Sequence, residues 1–288
     1  MLKKILTFAA APLAAIGFGL LMLAEMRRPL RRATSNKLQR VPRNLALGAV
    51  TALAVNLLFV PFVSVVAQFV QERKLGLLNL LPLPQPVGFV VALVLMDYTF
   101  YWWHRWLHKS DFLWRFHVVH HADLDMDVST AARFHFGEYV LSTPYRAAQI
   151  LLIGASPAAA AVFELTFMLA AEFHHSNLRL PLAAERRLVK WIVTPRMHGI
   201  HHSIIAAESN ANYATVLTLW DRLHRTLRLG VPQDEVTIGL AAYRDDSQLT
   251  VGHLLVMPFA PQPDAWQLAD GTRPMRGALP EPDEVLPA

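Results

Sequence analysis

The chain has 288 residues, 53% of them hydrophobic and only 17% charged, against about 25% charged in an ordinary soluble domain, so its composition is that of a membrane protein. It contains no cysteine, which excludes disulfides, thiolate ligands, iron–sulfur clusters and thiol nucleophiles and leaves imidazole, carboxylate, amide or water to hold any metal. The net charge is +5 and is unevenly placed.

Residues 5–24 are apolar and uncharged, enough for one bilayer crossing at about 1.5 Å per residue. A signal peptide after the basic start Lys3-Lys4 is the competing reading, but the run is long for one and more apolar segments follow. Residues 27–43 hold Arg27, Arg28, Arg31, Arg32, Lys37, Arg40 and Arg43 with no acid. Apolar runs flank this segment, so it reads as a cytoplasmic loop under the positive-inside rule, not as a nucleic-acid patch. Residues 45–70 form a second span that Pro61 should kink. Pro82, Pro84 and Pro86 make a connector, and 87–103 form a third span ending in Tyr98, Phe100, Tyr101, Trp102 and Trp103, an aromatic belt.

His104 and His108 follow, four apart, and then His117, His120 and His121. On a helix, residues three and four apart share a face, so each group aims its imidazoles at one point. Residues 139–173 are apolar apart from Arg146 and Glu164, and Gly154-Ala155-Ser156-Pro157 breaks them into a helical hairpin. A hairpin returns the chain to the side it left, bringing His174 and His175 beside the first group. His198, His201 and His202 repeat the earlier spacing. A helix at the membrane interface is expected over 216–229, and 231–288 read as a Pro-rich soluble tail with an ordered start and a loose end. The expected fold is all-α: an integral-membrane helical bundle of about four to five membrane segments with a cytoplasmic histidine-rich di-metal cap. The domains are 1–86 (N-terminal spans and basic loop), 87–230 (metal domain) and 231–288 (tail).

Eleven of the thirteen histidines lie between 104 and 202. Burying them together without a metal leaves ring nitrogens unsatisfied and, if protonated, sets like charges side by side. His104, His108, His117, His120, His121, His175, His198, His201 and His202 are nine candidate ligands, too many for one ion, so two ions are implied. A nearly all-imidazole site with open positions suits iron and O2. The HExxH signature of zinc hydrolases is absent, the glycine and closing glutamate of a calcium loop are missing after Asp123, Asp125 and Asp127, and tandem histidines at span ends do not suit bis-histidine haem. Asp123, Asp127, His135, Glu138 and Asn177 are the expected outer residues, capping helices or hydrogen-bonded to ligand imidazoles. His224 and His253 stand alone and are read as structural.

The boxes His104-x3-His108, His117-x2-His120-His121 and His198-x2-His201-His202 resemble those of the fatty acid hydroxylase superfamily, which includes sterol desaturases. So do Asp127 to His135 with Glu138, His175-Ser176-Asn177, Asn212-Tyr213, and Trp220-Asp221-Arg222-Leu223. The resemblance covers roughly 87–230. It implies a non-haem di-iron enzyme that uses O2 and external electrons to hydroxylate or desaturate a sterol or fatty acyl lipid. By position the nine histidines would be the iron ligands, with His175 rather than His174 in the third box. No flavin or dinucleotide fingerprint is present, so electrons would come from another protein (a ferredoxin, cytochrome or reductase) docked on the basic cytoplasmic face. The alternatives are the same site with ether-lipid or aldehyde-processing chemistry, or a non-catalytic metal buffer or transporter, which would place histidines or acids inside the spans.

Overall fold

The computed structural model describes residues 2–277, with side chains from residue 12 onward; Lys3, Lys4 and the end of the tail lie outside the described side chains. The architecture is helical, and among the described residues only isolated β-bridges occur. The principal helices are α1 (Leu2–Arg27), α2 (Lys37–Ala54), α3 (Val60–Arg73), α4 (Leu77–Leu80), α5 (Gln85–Lys109), α6 (Asp111–His121), α7 (Phe136–Ile153) and α8 (Pro157–His175). Shorter pieces follow: α9 (Leu182–Leu188), α10 (Pro195–His201), α11 (Ala206–Ser209), α12 (Leu219–Leu223) and α13 (Val251–Val256).

Among the described residues two helical stretches, Lys37–Leu80 and Gln85–Lys109, are long and apolar enough to cross a membrane. The α7–α8 hairpin is shorter, with helices of 18 and 19 residues, against the ~20 a full crossing needs. Large apolar side chains cover the outer faces of these elements, among them Leu20, Leu57, Val65, Leu80 and Leu152. The expected kink at Pro61 takes the form of a π-helical turn, Val55–Phe59, which ends one residue before α3. Proline has no N–H for the carbonyl four residues back, and the wider turn absorbs that missing bond. Asn56 Nδ2 donates to the Ala52 carbonyl at 2.8 Å in the same turn.

The hairpin turn is pinned by a close backbone approach. Gly154 ends α7 at φ +81, and a Cβ on Gly76 (φ +87) would collide with the Gly154 backbone. Asn79 Nδ2 bridges both sides, donating to Leu75 O at 2.6 Å and to Gly154 O at 3.2 Å. One apolar core joins α3, α5, α7 and α8 around Phe59, Val63, Met96, Ile150 and Phe163. A second surrounds Tyr101, Met197, Tyr213 and Trp220. A third joins Val118 and Val119 of α6 to Leu47 of α2 and to Leu240, Leu249, Leu254 and Met257.

One expectation needs correction. Within 216–229 only Leu219–Leu223 is helical, because Thr226 N turns back onto the Asp221 carbonyl and Arg225 adopts a left-handed φ of 56. Trp220 and Asp221 are buried while Leu219 and Leu223 are exposed, so this short turn packs one face inward. The segment after 231 is packed down as far as residue 265, where Ala265 joins the α6 core.

Candidate metal centre

Four helices deliver the histidines. α5 and α6 meet at Ser110, which is both the last cap of α5 and the first of α6, its Oγ accepting from Leu113 N at 3.4 Å. This one-residue joint folds α6 back so that its histidines face those of α5. α8 starts at Ser156-Pro157 and ends at His174-His175. Thr194 caps α10, with Pro195 as the first helical residue.

All nine candidate ligands come together, and they divide into two sets. One holds His104, His108, His117, His121 and His201; the other holds His120, His175, His198 and His202. Within each set one ring nitrogen per residue lies within 4.8 Å of the others. The two HxxHH groups are used in opposite senses. α6 gives its four-apart pair, His117 and His121, to the first set and His120 to the second. α10 gives its four-apart pair, His198 and His202, to the second and His201 to the first. The sets touch where the His121 and His202 rings stack, centroids 4.3 Å apart and planes 12° from parallel.

Main-chain carbonyls fix the rings. His104 Nδ1 donates to Tyr213 O at 2.7 Å, His201 Nδ1 to Ala211 O at 2.7 Å, His175 Nδ1 to Ala171 O at 2.7 Å and His120 Nδ1 to Arg133 O at 3.2 Å. His117 Nδ1 donates to Glu138 Oε2 at 3.0 Å. Donation from Nδ1 leaves Nε2 as a bare lone pair. His120 Nε2 and His175 Nε2 are nevertheless 3.0 Å apart, and His198 Nε2 is 3.0 Å from His175 Nε2. Lone pairs facing each other repel; a cation between them turns that repulsion into ligation. Among the described residues both ring nitrogens of His108 and His121, and Nε2 of His117 and His201, are buried without a hydrogen-bond partner. Burial, reinforced by neighbouring imidazoles, holds His120, His121, His198, His201 and His202 well below the ordinary histidine value. His175 is lowered from 6.5 to about 4, chiefly by burial. Neutral imidazole is the form that ligates a metal, so the donor set fits a pair of cations.

The expected outer residues fare unevenly. Glu138 holds His117 as expected. His174 lies outside both sets, its Nδ1 on Thr215 O at 3.2 Å. His135 is turned away: its Nδ1 accepts from Gly137 N at 3.0 Å and its Nε2 donates to Leu255 O at 3.1 Å, so it caps α7 and straps the C-terminal segment. Asp123 and Asp127 touch no imidazole. Both pair with Arg40, and Asp123 also accepts from Asn44 and Thr130, each at 2.8 Å. Asn177 holds the basic loop, its Oδ1 accepting from Arg31 N and its Nδ2 donating to Arg31 O, both at 2.9 Å.

The residues that present the carbonyls carry no ligand-like pattern in the sequence. Asn212 sits at φ 55, a left-handed position that Asn tolerates, and its Nδ2 ties the loop to Met197 O at 2.9 Å in α10. Asp221 accepts from Tyr213 N and Ala214 N, both at 2.9 Å. Together they hold the loop whose carbonyls orient His104 and His201. Carbonyls have no side-chain signature; the only signal was the Asn212-Tyr213 and Trp220-Asp221 pairs.

A mainly apolar cavity opens beside the histidines. Phe100, Trp103, Leu107, Phe134, Tyr139 and Phe167 line it together with His104, His117, His120, His174, His175 and His198.

Fold and site together define a helical protein with a buried polyhistidine centre beside an apolar pocket. Residues 89–226, a little under half of the chain, match the fatty acid hydroxylase family. It is 29% identical over 158 residues to an ornithine lipid hydroxylase of Rhizobium tropici, covering 54% of this chain and 46% of that protein. It is 30% identical over 151 residues to an alkylglycerol monooxygenase of Danio rerio, covering 52% of this chain and 32% of the relative. With a cholesterol 25-hydroxylase of Rattus norvegicus it shares 25% identity over 167 residues, covering 57% and 55%. The matched stretch thus spans about half or less of each relative's length. No solved structure matches the chain.

Proposed function

We propose that this protein is a membrane oxidase that uses O2 and electrons from a partner protein to hydroxylate or desaturate a lipid at a pair of iron ions. The observation that carries the reading is the division of nine histidines, eight of them buried, into two sets of converging ring nitrogens, with His104 and His117 of one set and His120, His175 and His198 of the other lining an apolar cavity. His104, His108, His117, His121 and His201 would hold one ion, and His120, His175, His198 and His202 the other. When bound, the irons supply O2 activation and the oxidising power to break an unactivated C–H bond.

The chain supplies the rest. Glu138 and the carbonyls of Arg133, Ala171, Ala211 and Tyr213 hold five ring orientations before any ion arrives, and such outer partners typically matter 10–100-fold in metal affinity or activity. The aromatic lining excludes water and offers an alkyl chain a surface to pack on. The lipid enters from the bilayer through the hairpin side, and the charged loop 27–43 keeps the centre on the cytoplasmic face, where a soluble electron donor reaches it. The named relatives act on an ornithine lipid, alkylglycerol and cholesterol; all are lipids, which supports the class and leaves the species to cavity shape.

Purified protein, assayed for metal, should carry close to two irons per chain with an antiferromagnetically coupled signal. His120→Ala and His201→Ala should each lower both iron content and lipid oxidation, the latter by more than the ~100-fold typical of outer-residue losses. Full activity with full iron in either variant, or reproducible zinc under iron-replete growth, sinks the proposal.

A further inference from the structure

The apolar cavity has one charged feature away from the histidines. Arg146 of α7 and Glu164 of α8 both line it. Arg146 is buried, stacked between the rings of Phe100 and Phe163 with its guanidinium carbon 5.3 and 4.8 Å from their centroids, and its Nη1 donates to Gln149 Oε1 at 2.7 Å. Arg146 Nε lies 2.8 Å from Glu164 Oε1. The approach is too oblique for a hydrogen bond, and both atoms are buried without one. The two residues form an ion pair whose Nε and Oε1 still lack a hydrogen bond, so each keeps unused hydrogen-bonding capacity in an apolar wall. Simple bracing of α7 against α8 would be served better by a well-aligned pair.

We infer that Arg146 and Glu164 are the docking point for the polar end of the substrate, and that this end is a neutral group that both donates and accepts, a hydroxyl or an amide. The inference rests on the reading of this cavity as the lipid pocket. A hydroxyl fits both vacancies at once, donating to Glu164 Oε1 and accepting from Arg146 Nε. A carboxylate does not fit: it would place two anions against one cation in a low-dielectric site. The pair also sets a register. Glu138, which touches His117, lies eight residues before Arg146 on one helix, and His175 lies eleven residues after Glu164 on the other. At the α-helical rise these separations are about 12 and 16 Å. The oxidised carbon is therefore held at about that distance from the hydroxyl or amide.

The test uses full-length protein in detergent with radiolabelled 1-hexadecanol, hexadecane and palmitate. Equilibrium binding is measured apart from turnover, and oxidation products are mapped by mass spectrometry. Wild type should bind hexadecanol at least about tenfold more tightly than hexadecane or palmitate, since a site built for a hydroxyl discriminates strongly against its absence. In Arg146→Met/Glu164→Met the alcohol and the alkane should bind alike, and any oxidation should spread along the chain. Glu164→Gln, which keeps shape and removes the negative charge, should bring palmitate level with or ahead of hexadecanol; it carries the test if the double variant does not fold. Equal binding of alcohol and alkane by wild type, or an unchanged lipid order in Glu164→Gln, overturns the inference even if lipids are oxidised. The expected binding order with no oxidation of any lipid upholds it and counts against the oxidase reading.

Discussion

Two buried polar regions lie a few residues apart, and they are solved in opposite ways. In the acidic region, Asp123 and Asp127 pair with the buried guanidinium of Arg40, while Asp125 accepts from the backbone and hydroxyls of Thr34 and Ser35 at 2.5–3.0 Å. Arg133 completes it, donating from Nε to Val119 O at 2.9 Å and from Nη1 to Asn44 Oδ1 at 2.8 Å. In the histidine region five outward nitrogens find a carbonyl or Glu138, and the inward ones find only each other. Ligand-like sequence spacing is common to both; partner atoms for the inward groups are not. A region whose polar groups satisfy one another is structural, and one whose donors converge on a common point with nothing to bond is built for something that arrives later.

The sharpest way to break this comparison is Arg40→Met. It removes the buried cation that Asp123 and Asp127 share, leaving only Arg133 and the half-exposed Lys37 nearby, and should destabilise the protein by about 3–5 kcal/mol. The loss should appear in the thermal unfolding midpoint, while the fraction that folds keeps its metal stoichiometry. A variant that stays stable but loses metal would make the acidic region part of the centre.

Acidification separates the regions by pH. His175 has a folded value of about 4 against 6.5 ordinarily, so the native state binds fewer protons than the unfolded chain in that window. Its contribution is complete above pH 6.5 and is lost as pH falls toward 4. Burial pushes the Asp123 carboxyl up, but the Arg40 and Arg133 guanidiniums outweigh it and hold it below its ordinary 3.8. Its contribution is present above that value and fails only below it. In metal-free protein the thermal unfolding midpoint should therefore begin to fall below pH 6.5, before Asp123 takes up its proton; a midpoint unchanged down to pH 4 would contradict the separation.

The helices and the nine converging histidines were legible because both depend on local spacing: apolar run length for the spans, and i, i+3, i+4 for the imidazoles. What the imidazoles lean on was not. Ala211 and Tyr213 reach the centre through their carbonyls, and Arg133 combines a carbonyl under His120 with a guanidinium in the acidic region, so one residue serves both. His135 and Asn177 looked like outer residues because they follow ligands in sequence, yet each faces another element, Leu255 and Arg31 respectively. Which side chain turns inward is decided by contacts across more than a hundred positions, and no local pattern encodes that.

Glu138 is the one carboxylate that crosses from the structural kind to the functional kind. Glu138→Ala removes the acceptor for His117 Nδ1 and should cost roughly 10–100-fold in metal affinity. Glu138→Gln keeps an acceptor and loses the charge, so its cost should be smaller; metal titration of the two variants checks the order. Equal losses would mean that charge balance, not ring orientation, is what Glu138 provides.

The smallest effect is expected at Asn177, two residues beyond His175. If proximity in sequence defined the centre, Asn177→Ala would disturb metal binding. Its amide instead brackets the Arg31 backbone through two part-buried hydrogen bonds, each worth about 1 kcal/mol. The substitution should lower stability by about 1–2 kcal/mol and loosen residues 28–34 in hydrogen exchange, leaving iron content and the coupled signal as in wild type. A change in the spectroscopic signal at full iron occupancy would move Asn177 back into the histidine centre.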